Sequence, residues 1–169
     1  MNPVQTGELP QDALLRKYRQ AGAFTDCYFI DVPRRVSQAV YVEAFYTSPL
    51  FKIERFLLAL FVRRPSTNLQ AQQLASGELD RFAAWRVEGR SASQLLMCDY
   101  LGKTRSWLMS VETEIDGTEH TRLYFGSAVI PKRDRADRRK DTFGFAFHAL
   151  SGFHAMYSRA LLRAACARL

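Results

Sequence analysis

The chain has 169 residues and a mass of 19.4 kDa, a length for one domain that can bury roughly 70% of its unfolded surface without disulfides or metal. Its 47% hydrophobic and 24% charged residues are ordinary globular usage and exclude general disorder. The net charge of +7 is local: nine basic and three acidic residues follow Pro131 and carry six units of it, which excludes a uniformly basic surface.

The segment MNPVQTGELPQD lacks the basic and apolar stretches of a secretory signal. Residues 1–22 read as a leader, with a short helix between Leu9 and Gln20 ending at Gly22. AFTDCYFIDV (23–32) is rich in β-formers and alternates, so it is expected as a strand that Pro33 stops. Ser37 then caps a helix through Tyr46. Ser48 with Pro49 opens a second helix through about Phe61, by the pairing of an N-cap with a first-turn proline. Its apolar run, 50–62, is too short to span a bilayer and contains Lys52, Glu54 and Arg55. Thr67 and Gln70 fit a capping box before a short helix that Gly77 terminates.

From Arg81 to Ile130 the period becomes two, and four strands are expected: 81–89, 94–101, 104–113 and 120–130. With the strand at 23–32 this makes five. Leu101-Gly102-Lys103-Thr104 suits a type II′ turn and Ile115-Asp116-Gly117-Thr118 a type I′ turn. These turns predict Tyr100 opposite Arg105, Cys98 opposite Trp107 and Leu96 opposite Met109. On the next strand they predict Arg105 opposite Ala128, Trp107 opposite Gly126 and Met109 opposite Tyr124. One face then carries Leu96, Cys98, Tyr100, Arg105, Trp107, Met109, Val111, Tyr124, Gly126 and Ala128. As the more apolar set it is expected to face the interior, against the last helix. Cys98 should lie beside Trp107 and resist alkylation.

PKRDRADRRKD (131–141) has charge without periodicity and reads as a loop. The remainder reads as one long helix capped by Asp141, with Phe143, Phe147, Leu150, His154, Tyr157, Leu161 and Ala164 along one face. Cys27, Cys98 and Cys166 form no CxxC pair or zinc-spaced cluster, so free thiols in a reducing, cytoplasmic compartment are expected. No phosphate-binding glycine motif and no serine elbow occurs, which gives no support for a nucleotide cofactor, a metal or an assigned catalytic residue.

This order of strand, helices, antiparallel meander and long terminal helix resembles the START-like (SRPBCC) helix-grip superfamily, an α+β fold. FYTSPLFKIERFLLAL (45–60), LLMCDYLGKTRSWL (95–108), RLYFGSAVIP (122–131) and GFHAMYSRALLRAA (152–165) also look like a bacterial family of uncharacterised proteins associated with it. The resemblance covers residues 23–169 as a single domain. It implies a curved sheet around the C-terminal helix and an apolar or amphipathic ligand held between them, and some members are cyclases or hydrolases.

The candidate ligand-binding residues are Trp85, Tyr100, Arg105, Trp107, Met109, Tyr124, Phe147, His154 and Tyr157. Arg105, placed on an apolar face, is either the anchor for a ligand carboxylate or an edge residue reaching water. His154 is either a general base or a hydrogen-bonded core histidine. The aromatic residues fit a core as well as a pocket. Two rival functions remain: a cyclase- or hydrolase-type enzyme, and binding of nucleic acid or an anionic membrane through 132–140 with Arg159, Arg163 and Arg168. Nucleic acid is the less favoured partner, and the sequence leaves monomer and homodimer open.

Overall fold

The computed structural model describes residues 2–130 and 143–169; the basic loop expected at 132–140 lies outside the described residues. The fold is α+β. Five helices, α1 (Arg16–Gln20), α2 (Gln38–Tyr46), α3 (Pro49–Val62), α4 (Asn68–Ser76) and α5 (Phe143–Cys166), accompany seven strands. These are β1 (Gln5–Thr6), β2 (Phe24–Val32), β3 (Arg81–Phe82), β4 (Trp85–Ser91), β5 (Gln94–Asp99), β6 (Thr104–Ile115) and β7 (Thr118–Val129). They form one antiparallel sheet in the order β1-β2-β7-β6-β5-β4-β3. The expected five become seven because the leader adds β1 and because Ala83, at φ +51°, breaks the 81–89 strand in two.

Local chemistry starts and stops the helices. Ser37 Oγ accepts from the Val40 amide, and Ser48 Oγ accepts from the Phe51 amide. Thr67 and Gln70 close a reciprocal capping box, and Gly77 ends α4 at φ +90°, a conformation glycine adopts without steric cost. Asp116 and Gly117, both at positive φ, join β6 to β7. Arg105 therefore pairs with Ala128, Trp107 with Gly126 and Met109 with Tyr124, as expected.

The β5–β6 register is corrected by two residues: Cys98 faces Arg105 and Leu96 faces Trp107. Asp99 is the cause. Its carboxylate accepts from the amides of both Lys103 and Thr104, so the connection becomes a four-residue loop in place of a two-residue turn. Tyr100 is left in that loop, half exposed, with Arg64 over its ring. Because the slip equals the pleat period, each residue keeps its face.

Which face meets the helices is also corrected. Tyr28, Ile30, Leu95, Met97, Leu108, Leu123 and Phe125 pack with residues of α2, α3, α4 and α5 in the larger core. The face carrying Leu96, Trp107, Met109 and Ala128 is instead covered by the N-terminal segment through Leu9, Ala13 and Leu15. Both faces are buried, and small serines on the helix-covered face make its sequence look the more polar. All three cysteines are buried; Cys98 is fully so, beside Arg105 across the strand pair. Burial pushes the Cys27 and Cys166 thiols up to about 12. No helix among the described residues is long and apolar enough to cross a membrane.

Candidate functional site

Arg105 lies on the face covered by the N-terminal segment, and its guanidinium is already engaged. Its Nε donates to Glu88 Oε2 (2.6 Å) and to Tyr18 Oη (2.9 Å), and one terminal nitrogen donates to the Gly102 carbonyl (2.9 Å). Tyr18 in turn donates to Glu88, and Lys17 adds an ion pair at 2.8 Å. Glu88 reaches this position because the β4–β5 register slips between Val87 and Gly89, a β-bulge that re-aims its carboxylate. Burial pushes Glu88 up, but the hydrogen bonds from Lys17 and Tyr18 and the Arg105 charge outweigh it and leave the carboxyl below its ordinary value. The charge expected to meet a ligand carboxylate is thus matched by one of the protein's own. Trp107, Met109 and Tyr124 share this face.

On the helix-covered face, a cavity of about 140 Å³ opens between β6, β7, α3 and α5. Phe45, Phe51, Trp85, Phe125 and Leu161 give it an apolar wall, and Glu54, Ser127, His154, Tyr157 and Ser158 give it polar groups. Of the candidate residues, Trp85, His154 and Tyr157 line it. Arg105 borders it, with its guanidinium turned to the opposite face. The Phe147 side chain lies outside the described residues. Sequence reasoning missed Glu54, Asp26, Ser127 and Ser158. Glu54 had a signal: it is the sole acid between Pro49 and Arg64 and falls one turn from the buried Phe51.

Asp26, Ser127 and His154 form a polar cluster at the cavity edge. Asp26 and Ser127 are directly paired across β2 and β7. Asp26 Oδ1 accepts from the Ser127 amide (2.7 Å) and from its hydroxyl (2.8 Å). His154 Nε2 lies 2.8 Å from Ser127 Oγ and 3.2 Å from Asp26 Oδ2. With Ser127 Oγ donating to Asp26, a protonated His154 Nε2 donates to Ser127 Oγ. The base that faces the hydroxyl is Asp26, and serine and carboxylate meet the same imidazole nitrogen, unlike the Ser-His-Asp order of a nucleophilic relay. The cluster pairs the His154 imidazole with a carboxylate. Among the described residues no three His, Cys, Asp or Glu side chains gather as a metal-ligand set.

The pairing with Asp26 raises the His154 pKa above its ordinary value, outweighing burial. A raised folded-state pKa means that protonated His154 stabilises the fold fully below its unfolded value of about 6.5. That contribution is lost as the pH rises through the higher folded value. NMR titration of the His154 ring should therefore give a midpoint above the ordinary histidine value of about 6.5, and Asp26→Asn should bring it down. A midpoint for His154 at or below about 6.5 would refute the pairing.

A second polar contact closes the other side of the cavity. The Tyr157 hydroxyl donates to Glu54 Oε2 at 2.6 Å. Burial raises the Glu54 pKa, and the Tyr157 bond only partly offsets it. Ser158 Oγ, fully buried on the cavity wall, has no hydrogen-bond partner among the described residues.

No family model, no curated protein and no solved structure matches this chain.

Proposed function

We propose that this chain is a START-like, cytoplasmic binding domain that holds one small, mostly apolar molecule between its sheet and α5. The observation that carries the reading is the cavity itself: aromatic walls, few polar groups, and a volume of about 140 Å³. An engineered apolar cavity of about 150 Å³ stays dry and takes benzene, so the fitting molecule is about one ring in size. The order of β2, helices, meander and terminal α5 is in keeping with the helix-grip resemblance. Ser127 and Asp26 meet the same nitrogen of His154, which favours holding over a Ser-His-Asp relay.

Thermal melting with benzene and with indole tests this. Either ring should raise Tm by an amount growing with the logarithm of its concentration. Ser106→Leu fills the cavity from β6 and should remove that dependence while leaving the protein folded. Ring binding that Ser106→Leu leaves intact would place the ligand elsewhere, and no shift with either ring would refute the reading.

A further inference from the structure

The polar groups of the cavity point to the chemistry of its occupant. The positive charge of His154 is matched by Asp26. Among the described residues, Glu54 has no cation within ion-pairing distance; it accepts a hydrogen bond from the neutral Tyr157 phenol. One further polar group lining the cavity, Ser158 Oγ, is fully buried and has no hydrogen-bond partner among the described residues. The rings of Phe45, Phe51, Trp85 and Phe125 line the same cavity. A partly buried carboxylate is costly to leave uncompensated, and an unpaired buried hydroxyl carries its own desolvation penalty.

We propose that the cavity binds a small arylalkylamine, its ring against the Phe45, Phe51, Trp85 and Phe125 wall and its ammonium donating to Glu54 and Ser158. This rests on the cavity being a ligand site, and it adds the sign of the ligand's charge. An ammonium supplies up to three donors, enough for a carboxylate oxygen and a hydroxyl together. Aromatic faces around a desolvated cation add a second attraction. A carboxylate ligand finds the reverse: Glu54 repels it, and the Arg105 guanidinium is held by Glu88 on the other side of the sheet. Burial raises the Glu54 pKa, so a bound ammonium would favour the ionised carboxylate and release a proton from any fraction still protonated.

The test compares three probes of one shape by thermal melting: 2-phenylethylamine, 3-phenylpropionate and ethylbenzene. The amine should act at about tenfold lower concentration than ethylbenzene, the factor of one charge-assisted hydrogen bond, and the carboxylate should give no shift. Glu54→Gln should erase the amine's advantage and leave the ethylbenzene shift. Tyr157→Phe frees the carboxylate of its phenol donor and should keep the amine's advantage, which guards against a Glu54 variant that fails to fold. Ethylbenzene matching or exceeding the amine in the wild type would overturn the amine assignment and leave the cavity reading standing. No shift with any of the three would overturn both.

Discussion

Trp107→Ala should destabilise the protein by about 3–5 kcal/mol, the range for deleting a large aromatic side chain from a packed core. Trp107 is fully buried, packs near Tyr124 (ring centroids 6.0 Å), and sits across from Gly126, where an added Cβ would come within 3.1 Å of its ring. Its indole N–H donates to Gln94 Oε1 (2.9 Å). That same oxygen accepts from the Leu14 amide, and Gln94 Nε2 donates to the Asp12 carbonyl. Loss of the indole therefore opens a cavity and loosens the N-terminal segment together. Urea unfolding followed by circular dichroism measures the loss. Limited proteolysis should show cleavage appearing first between Glu8 and Gln20. A loss below about 1 kcal/mol would mean that this face is not a packed core.

Arg122→Met should be the second costly change, at about 3 kcal/mol, the lower end for breaking a buried ion pair from one side. Asp31 is buried and receives two bonds from Arg122, Nε at 2.7 Å and a terminal nitrogen at 2.9 Å. The guanidinium also lies over the Phe29 ring, 4.4 Å from its centroid. Methionine keeps the stem against that ring and leaves the carboxylate uncompensated. Asp31→Asn combined with Arg122→Met removes the stranded charge as well, so the pair of substitutions should cost less than Arg122→Met alone. Equal or larger loss in the double variant would show that the two side chains are not coupled.

The helices were legible because their ends are written in single residues: Ser37, Ser48 with Pro49, Thr67 with Gln70, and Gly77 each satisfy or release backbone groups locally. The β6–β7 register was legible for the same reason, since Asp116-Gly117 admits few turn geometries. The β5–β6 register was not. Gly102 suits a tight turn, but the Asp99 carboxylate offers two hydrogen bonds that the longer loop alone can use. Hydrophobic alternation could not say which face the helices cover, because both are buried and the helix-covered one is lined with Ser106, Ser110 and Ser127. The segment that covers the other face has no period. Leu9, Ala13 and Leu15 are buried from irregular chain, which pattern reading treats as leader. In the candidate site, His154, Tyr157 and Trp85 were found from the helical stripe and strand composition. Asp26 and Ser127 depend on a β2–β7 pairing between strands far apart in sequence, with no turn to set it, and the Glu88 bulge that occupies Arg105 leaves no local mark.

The position of the ligand is tested most directly by intermolecular NOEs between indole and the protein labelled with carbon-13. Indole protons should give NOEs to the side chains of Phe45, Phe51, Phe125 and Leu161, which wall the cavity on the helix-covered face. NOEs instead to Leu96, Trp107, Met109 and Tyr124 would place binding under the N-terminal segment and contradict the account.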